Sequence, residues 1–456
     1  MKFIVLGAGD VGTTLATQLV QEQHDVVLIE KSETKLEAAT SNLDVQALHG
    51  NGCLPEVLIK AGINTADYFI AVANQDEINV TASITAKLVN PDTKRIARMR
   101  EVSFLHEDIV QSHLSEIFDL TINPIQAAAD YLLRLFRVAG ARDVVDFADG
   151  KLQLIGLDIK ATSPFIGKKL RGLTEIREKL HLVIIAIVRD GELLVPRGND
   201  ELLEDDMIYC ITPPEQVHSL FEMAGHNFTP PRSAMIWGGG SLGKALTHAL
   251  EEEDIQVKLI VSQEQSTHEL LDEFKNTLIL VGDGKDKALL LEENIQDIDS
   301  FIAVSNDEED NILSALLAKK LGARSVMALV NKASYLPLVH AIGVDVVVSS
   351  RAAAANAIFA HIHKEDALIA DPSLRHLGAG FLEIVIEEGM PIAQKTISEV
   401  RFPSGVLCAA MIREEEIIMP SGDALLAVED TLILFITKGA HVKLEKLFGK
   451  KVEMIS

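Results

Sequence analysis

The sequence of this chain contains the same pattern twice. An apolar strand at residues 3–6 runs into the turn Gly7-Ala8-Gly9-Asp10-Val11-Gly12, and another at residues 235–237 runs into Gly238-Gly239-Gly240-Ser241-Leu242-Gly243. Further pairs recur in register: Gly50 with Gly282, Gly52 with Gly284, Asn74 with Asn306, Glu77 with Glu309 and Asn79 with Asn311. So many matches at nearly one offset indicate a duplicated domain.

The segment that follows each copy is duplicated as well. At one constant offset, Ala186, Arg189, Pro196, Gly198, Leu202 and Asp206 correspond to Ala410, Arg413, Pro420, Gly422, Leu426 and Asp430. The chain therefore has the order A-B-A-B. Segment A alternates apolar strands with helical stretches, which predicts a parallel sheet covered by helices. The short strands and proline-glycine turn of segment B predict a small α+β unit.

The predicted fold class is α/β, with two tandem copies of a Rossmann-like parallel-sheet lobe, each followed by a small α+β lobe. We expect a first nucleotide-binding lobe at residues 1–125 and a linker helix with a small lobe at 126–228. A second Rossmann-like lobe is expected at 232–350, with its linker helix and small lobe at 351–456. Pro230-Pro231 favours a linker between the halves.

Composition and charge exclude several classes of protein. The 456 residues are 48% hydrophobic, which excludes a disordered chain, and the net charge of −25 opposes binding to nucleic acid or direct insertion into anionic lipid. No stretch approaches the roughly 20 apolar residues of a membrane span, and the first residues show no cleavable signal pattern. Cys53, Cys210 and Cys408 lack metal or disulfide spacing, so a reducing cytoplasm is expected.

The first glycine turn has the spacing of a dinucleotide-binding loop. Gly7 permits a tight exit from the strand, Gly9 lets a pyrophosphate approach the backbone, and Gly12 allows close packing of the helix. Unpaired N–H groups at the start of the helix bind the anion. All six residues of this turn are therefore candidate phosphate-binding residues.

Glu30 strengthens this prediction. It ends the next predicted strand, where a carboxylate accepts hydrogen bonds from both hydroxyls of an adenosine ribose. The same carboxylate repels a 2′-phosphate, so NAD or another unphosphorylated adenosine nucleotide is favoured over NADP. The alternative is that Glu30 is a solvated acid at a strand end.

Three further elements follow strand ends of the same sheet, where ligands of open α/β folds bind. They are Asn51 in a Gly-Asn-Gly turn, Ala73 with Asn74, and Arg98. Arg98 either neutralises a phosphate or is one of several basic residues on a half-exposed strand. Asn74 is either a ligand contact or a turn residue.

The second glycine turn repeats the phosphate cradle with less support. Depending on where a one-residue insertion falls, Val261 or Ser262 takes the place of Glu30, and Leu329 corresponds to Arg98. The candidate contacts in this copy are Gly239, Gly240, Ser241, Leu242, Gly243 and Ser262. We expect the first copy to dominate nucleotide binding. A comparison of nucleotide affinity between two separately produced halves would require that each half folds alone.

The second turn also satisfies two enzyme patterns. It matches the G-x-S-x-G of a hydrolase nucleophile, but Ser241 corresponds to Asp10 in the other copy, which opposes a catalytic role. It resembles a P-loop, but Ala245 stands where a Ser or Thr must bind magnesium.

Two other polar features are interpreted as ordinary surface. His361 and His363 face different sides of a helix, which opposes metal binding. The acidic run at residues 251–254 is interpreted as a solvated loop.

An NAD-dependent oxidoreductase is the enzyme alternative. It requires a substrate domain that presents an acid, a base or a metal to the nicotinamide. Segment B instead repeats turn and core residues such as Pro196, Gly198 and Leu202. We therefore interpret the chain as a binding and regulatory protein without catalytic residues or a metal site.

These residues resemble a known family, the TrkA-type regulatory subunits of Trk potassium uptake systems, which contain tandem domains that regulate potassium conductance. The resemblance covers the whole chain. It rests on the first glycine turn with Glu30, on Asn74-Gln75-Asp76-Glu77 and Asn306-Asp307-Glu308-Glu309, on Ala97-Arg98-Met99-Arg100, and on the two proline-glycine turns.

The resemblance implies a peripheral protein on the cytoplasmic face of the inner membrane, bound to a TrkH- or TrkG-like potassium-translocating subunit. In that family a homotetramer forms a ring of eight nucleotide-binding lobes, and NAD, NADH, ATP or ADP sets the state of the transporter. The implied contacts are residues 7–11, Glu30, Ala73, Asn74 and Arg98, and less directly residues 239–243.

Overall fold

The fold consists of four lobes in two similar halves. The computed structural model describes residues 1–41, 43, 45–100, 116–147, 150–173, 180–226, 229–262, 267–332, 335, 338–339, 342–364, 368–369, 379–414, 416–437, 440, 444 and 447–448. Two six-stranded parallel sheets, covered by helices, alternate along the chain with two five-stranded antiparallel sheets. The predicted tandem α/β fold class is therefore confirmed.

The first Rossmann-like lobe is built on six parallel strands. They are β1 (Lys2–Leu6), β2 (Asp25–Glu30), β3 (Gln46–His49), β4 (Tyr68–Ala71), β5 (Lys94–Arg98) and β6 (Leu120–Ile122). Their order across the sheet is β3-β2-β1-β4-β5-β6, so the direction of the order reverses between β1 and β4. Ligands of open α/β sheets bind at this reversal, outside the carboxyl ends of the strands. The helices are α1 (Asp10–Gln21), α2 (Glu33–Thr40), α3 (Pro55–Ala61) and α4 (Asp76–Val89).

A linker helix, α5 (Pro124–Arg137), leads to the first small lobe. Its start is set by Asn123, whose side chain accepts hydrogen bonds from the N–H groups of Ile125 and Gln126. The small lobe contains β7 (Asp143–Phe147), β8 (Leu152–Asp158), β9 (Val183–Arg189), β10 (Glu192–Leu194), β11 (Met207–Thr212) and α6 (Val217–Met223). Its antiparallel sheet has the order β10-β9-β11-β8-β7.

The second half repeats this arrangement. Its parallel sheet contains β12 (Ser233–Trp237), β13 (Gln256–Val261), β14 (Leu278–Val281), β15 (Ser300–Ala303), β16 (Ser325–Leu329) and β17 (Val346–Val348), in the order β14-β13-β12-β15-β16-β17. The helices are α7 (Ser241–Glu252), α8 (Thr267–Glu273), α9 (Lys287–Glu292), α10 (Glu308–Lys320) and the linker helix α11 (Ser350–Lys364). The second small lobe contains β18 (Leu368–Ile369), β19 (Ala379–Val385), α12 (Ile397–Val400), β20 (Val406–Arg413), β21 (Glu416–Ile418) and β22 (Thr431–Thr437). Short 3-10 helices lie at Ile63–Thr65, Leu170–Leu173, Pro214–Gln216 and Ile295–Asp297.

The duplicated arginine and aspartate of segment B form the same ion pair in both small lobes. Arg189 Nε donates to Asp206 Oδ1 at 2.7 Å, and Arg413 Nε donates to Asp430 Oδ1 at 2.7 Å. Both aspartates are buried, so each carboxylate needs this partner to remain charged. The repeated residues of segment B thus have a structural role.

The two halves exchange their linker helices. Helix α11 of the second half packs on α1 of the first Rossmann-like lobe, where Ile358, Phe359 and Ile362 form one buried cluster with Leu15 and Leu19. These residues recur every three or four positions, so they lie along one face of each helix. The outer face of the first lobe is therefore covered by a helix from the other half of the sequence.

The reciprocal contact places α5 of the first half on α7 of the second lobe. Leu132 and Phe136 lie in one buried cluster with Leu246 and Leu250. Each Rossmann-like lobe thus lacks part of its apolar cover when the other half is removed. Nucleotide affinities of the two copies are consequently best compared in the full chain.

The acidic run at the end of α7 takes part in this contact. Arg137, at the end of α5, donates from Nε to Glu253 at 3.0 Å. Glu251 accepts a hydrogen bond from the Thr277 hydroxyl at 2.6 Å. The interpretation of residues 251–254 as a solvated loop is therefore wrong for Glu251 and Glu253, which accept these hydrogen bonds, and α7 extends to Glu252, while Glu252 and Asp254 are exposed as expected.

The small lobes pack against each other through their sheets. Phe147 and Phe381 meet edge to face with ring centroids 4.7 Å apart, and both belong to a buried cluster that spans the two lobes. Edge-to-face contact is a favoured geometry for aromatic pairs. The halves are therefore joined both by their linker helices and by their small lobes.

Neither a membrane-spanning helix nor a metal-binding cluster occurs among the described residues. No helix among them has the length and apolar character needed to cross a bilayer. Nor do the described residues bring together three His, Cys, Asp or Glu side chains that fit a metal ion.

We expect Phe359→Ala to destabilise the first Rossmann-like lobe, although Phe359 belongs to the second half of the sequence. Phe359 is 1% exposed in the cluster that includes α1, and Phe→Ala in a core typically lowers the free energy of unfolding by about 3–5 kcal/mol. Urea unfolding followed by circular dichroism measures the loss, and hydrogen exchange should show faster exchange in α1. Leu88→Ala is the control, because Leu88 is 79% exposed. Unchanged protection of α1 in Phe359→Ala would contradict the exchanged packing.

Candidate functional site

The turn after β1 requires glycine at two positions. Gly7 has a backbone φ of 108°, in the left-handed region that favours glycine. A Cβ added at Gly12 would lie 1.8 Å from the carbonyl oxygen of Gly7, so α1 begins in direct contact with the turn. Gly9 is open by comparison, because an added Cβ there would approach only Asn74 Oδ1, at 3.9 Å. A ligand atom therefore has room at Gly9.

The first turn of α1 presents backbone N–H groups. Gly9 caps the helix without a side chain, so no side-chain oxygen of the cap accepts from these donors. Ala8 and Val11 are buried and hold the turn against the sheet, while Asp10 is exposed. N–H groups at a helix N-terminus bind phosphate and other anions.

Glu30 is fixed beside the turn by two backbone donors. Its Oε2 accepts from Ala8 N–H at 2.8 Å, and its Oε1 accepts from Ser32 N–H at 2.9 Å. The parallel pairing of β1 with β2 places the residue at this edge of the sheet. Each carboxylate oxygen keeps a second acceptor position, which suits the hydroxyl groups of a ribose.

Asn79 connects the ends of β4 and β5. Its Oδ1 accepts from Ala73 N–H at 2.8 Å, and its Nδ2 donates to the carbonyl oxygens of Ala73 and Arg98 at 3.0 and 2.9 Å. The side chain is completely buried, so these bonds replace water. Sequence analysis gave Asn79 no role. The signal that could have found it is its match with Asn311 in the second copy.

Arg98 is a buried cation at the end of β5. It is 5% exposed, so the half-exposed strand considered from the sequence is wrong. Its Nη2 donates to the Ala73 carbonyl oxygen at 2.6 Å, while its Nε has no partner in the described part of the chain. Burial, with a smaller contribution from Arg100, lowers the pKa of Arg98 to about 10, and Asp76 opposes this shift. An anion bound at this edge would therefore find an incompletely satisfied guanidinium.

Asn51 and Asn74 lie at the exposed rim. Asn51 Oδ1 accepts from Cys53 N–H at 3.1 Å and closes its own turn after β3. Asn74 follows β4 and faces Gly9 across the opening. The rim therefore has amide groups on both sides of the turn, and their contact with a ligand stays a prediction.

The first-copy candidates come together at one edge of the sheet. The glycine turn follows β1, and Ala73 and Asn74 follow β4. Glu30 is the last residue of β2 and Arg98 the last of β5, and these four strands are neighbours in the sheet. Asn51 follows β3, an edge strand that lies two strands from β1, and β5 lies equally far on the other side. The arrangement suits a ligand that carries a phosphate on the turn and a hydroxyl-rich group on Glu30.

The second copy keeps the same backbone arrangement. Gly238 has a φ of 120°, and a Cβ at Gly243 would lie 1.8 Å from the Gly238 carbonyl oxygen. Asn311 repeats the clamp, accepting from Ser305 N–H at 2.8 Å and donating to the Leu329 carbonyl oxygen at 3.0 Å. Residues 239–243 are therefore placed as their counterparts are, and Leu329 occupies the position of Arg98.

Hydrogen bonds between the strands show which residue replaces Glu30. The carbonyl oxygen of Glu30 accepts from Gly50 N–H, and that of Val261 accepts from Gly282 N–H. Val261 therefore occupies the position of Glu30, and the inserted residue follows the strand. Ser262 lies one residue beyond this position, so of the two alternatives the one that placed Ser262 there is wrong, and contact of Ser262 with a nucleotide stays a prediction.

Polar side chains around the second turn are bound to one another. Lys244, the lysine of the P-loop-like pattern, pairs with Glu273 at 2.7 Å. Lys285 follows the glycine turn after β14 and pairs with Asp310 at 2.5 Å. At the two positions that the structure describes, Val261 replaces the carboxylate of Glu30 and Leu329 replaces the buried Arg98.

Fold and site together define a class of protein: two Rossmann-type lobes with glycine cradles, each followed by a small antiparallel lobe. Residues 3–118 and 234–350 match the TrkA-N domain, and residues 154–225 and 381–449 match the TrkA-C domain. The chain is 32% identical to the Trk system potassium uptake protein TrkA of Vibrio alginolyticus, over 98% of both chains. It is also 32% identical to a TrkA homolog of Archaeoglobus fulgidus, over 98% of this chain and all of that one. The chain therefore belongs to the TrkA family of Trk system potassium uptake proteins, as the resemblance predicted.

Solved structures share the fold. The GsuK channel has a TM-score of 0.62 at 20% identity, with 98% of this chain and 78% of that chain covered. A GsuK channel bound to NAD has a TM-score of 0.61 at 21% identity and the same coverage. The crystal structure of the GsuK RCK domain has a TM-score of 0.60 at 21% identity, with 98% and 94% covered. At these identities the likeness establishes the fold.

We expect alanine to be tolerated at Gly9 and not at Gly12. In Gly12→Ala the new Cβ meets the Gly7 carbonyl oxygen at 1.8 Å, so α1 must move off the turn and the protein should unfold at a clearly lower temperature. Gly9→Ala meets only Asn74 Oδ1 at 3.9 Å and should leave the unfolding temperature nearly unchanged. Thermal unfolding by circular dichroism compares the two variants. Equal stability would mean that the turn relaxes around Gly12 at little cost.

Proposed function

We propose that this chain is the nucleotide-binding regulatory subunit of a Trk-type potassium uptake system. In this proposal, NAD or NADH bound to the first Rossmann-like lobe sets the activity of a membrane-embedded potassium-translocating partner. The main observation in support of nucleotide binding is the position of Glu30, which the N–H groups of Ala8 and Ser32 hold beside an open glycine turn. Membership of the TrkA family supports the role in potassium uptake.

The geometry supports a dinucleotide with an unphosphorylated ribose. Glu30 would accept from the ribose hydroxyls, the N–H groups at the start of α1 would bind the pyrophosphate, and Arg98 would compensate phosphate charge. A 2′-phosphate would bring like charge against Glu30. ATP and ADP share the adenosine and phosphate groups, so they would compete for the same cradle. The NAD-bound GsuK channel, which shares the fold, is consistent with this choice.

The partner would be a TrkH- or TrkG-like subunit, met at the cytoplasmic face of the inner membrane. The net charge of −25 opposes direct binding to anionic lipid, so attachment would occur through protein. A homotetramer would close the duplicated lobes into a symmetric ring. The catalytic alternative, an NAD-dependent oxidoreductase, would need an acid, a base or a metal placed opposite the nicotinamide.

Nucleotide would act by binding one arrangement of the ring more tightly than another. A tenfold difference in affinity between two arrangements corresponds to about 1.4 kcal/mol per site. Several sites in one oligomer would therefore be needed for a firm switch.

We expect Glu30→Ala to weaken NAD binding to the full chain by roughly 10- to 150-fold, because an ionic hydrogen bond typically contributes about 1.5–3 kcal/mol. Isothermal titration calorimetry measures the affinity and the stoichiometry. Val261→Ala, the matched change in the second copy, should leave the affinity unchanged. Equal effects of the two variants would contradict the assignment of the ribose to Glu30.

The regulatory role itself is tested by potassium flux. The purified chain is added to proteoliposomes that contain a Trk-type potassium-translocating subunit, with and without NAD or NADH. Flux should change with nucleotide, and Glu30→Ala should remove that response while still binding the membrane partner. Potassium flux that is the same with and without the added chain would contradict the proposal. Steady turnover of NADH would favour the oxidoreductase.

A further inference from the structure

Arg351 reaches from the second half of the chain to the glycine turn of the first lobe. Its Nη2 lies 3.0 Å from Asp10 Oδ2, and Asp10 is the first residue of α1. The contact exists because α11 packs on α1, which brings the first turn of α11 beside the first turn of α1. A guanidinium from one half therefore lies at the candidate phosphate site of the other.

The positive charge around the Asp10 carboxylate is larger than this one carboxylate can balance. Arg351 is the second residue of α11, and the N-terminus of a helix carries partial positive charge that disfavours a cation. The N-terminus of α1 adds a second partial positive charge. One carboxylate thus faces a guanidinium and two helix N-termini, an arrangement that accommodates a further anion. Arg98, with its unpartnered Nε at the same sheet edge, points to the same ligand chemistry.

The ion pair is well suited to exchange. The Arg351 side chain is 39% exposed and that of Asp10 is 61% exposed, and exposed pairs contribute little to stability. A phosphate on the turn would lie close to the Asp10 carboxylate, and the two anions would repel each other. A guanidinium that binds the phosphate removes this repulsion and forms bidentate hydrogen bonds.

The pair is confined to the first site. Asn123 and Ser349 are the residues directly before α5 and α11, and their carbonyl oxygens accept the first helical hydrogen bonds, from Ala127 N–H and Ala353 N–H. Ile125 therefore corresponds to Arg351. In the second glycine turn Ser241 stands in the position of Asp10, so both members of the pair are absent there.

We propose that Arg351 is a phosphate-binding residue of the first nucleotide site, supplied across the interface by the other half. The inference rests on the proposed function and adds a residue that the dinucleotide-binding pattern does not contain. Arg351 exchanges Asp10 for the phosphate when nucleotide binds. The first turn of α11 is then attached to the ligand through Arg351. Nucleotide bound to the first lobe thereby influences the position of α11, the helix that leads to the second small lobe.

Calorimetry with NAD on the full chain tests this, using Arg351→Gln, Asp10→Asn and the double variant. Arg351→Gln should weaken NAD binding by about tenfold, the equivalent of one charge-assisted hydrogen bond. Asp10→Asn breaks the same ion pair and keeps the backbone N–H of the turn, but it removes a carboxylate that repels phosphate, so it should raise the affinity for NAD. In the double variant the affinity should recover part of the loss. Arg351→Lys, which keeps a cation, should bind more tightly than Arg351→Gln.

Arg137→Gln is the matched control. Arg137 is also an arginine of a linker helix paired across the halves, with Glu253, but it lies at the far end of α5, away from both glycine turns. It should leave NAD affinity unchanged, and circular dichroism should show the same fold for all variants.

The outcomes separate the two proposals. No binding of NAD to the parent chain overturns the proposed function and this inference with it. Binding that depends on Glu30 but is unchanged in Arg351→Gln overturns this inference alone. Equal weakening by Asp10→Asn and Arg351→Gln also overturns it, because the ion pair would then only position the turn.

Discussion

The packing of each linker helix on the opposite Rossmann-like lobe is the contact on which the rest of the molecule depends. Phe359 and its neighbours on α11 complete the core around α1. The reciprocal contact of α5 with α7 completes the second lobe. Because burial of apolar side chains is the main favourable term in folding, neither lobe is fully covered without the other half. The two copies therefore behave as parts of one structure.

This exchange gives the first site a direct connection to the second half. Helix α1 starts at the glycine turn and packs against α11. A displacement of the turn therefore moves the surface on which a helix from the other half is packed. The small lobes are joined in turn through Phe147 and Phe381. Packed interfaces of this kind adopt discrete arrangements rather than deforming continuously. A ligand that favours one arrangement would thus act on both halves together.

Local features could be predicted from the sequence, and long-range partnerships could not. The duplication, the parallel-sheet lobes and the glycine turn follow from spacing along a short stretch of chain. Glu30 followed from its place at a strand end. The role of Asn79 was not predicted, because a buried side chain that connects two strand ends has no local sequence pattern. The apolar face of α11 shows that it covers something, but periodicity does not reveal that its partner is α1. Glu253 was interpreted as solvated for the same reason, since Arg137 is distant in sequence.

The comparison of the two turns separates what holds the fold from what binds a ligand. Gly238, Gly243 and Asn311 repeat the backbone devices of the first copy, because a Cβ at Gly243 would meet a carbonyl oxygen whether or not a ligand binds. The charged groups differ: Val261 and Leu329 stand where the first copy has Glu30 and Arg98. Sterics explain the retention of the glycines, so a glycine turn alone does not distinguish a nucleotide site from a structural turn. The carboxylate and the guanidinium carry that distinction, since half-buried Glu30 keeps free acceptor positions and a buried guanidinium such as Arg98 is unfavourable unless a partner compensates its charge.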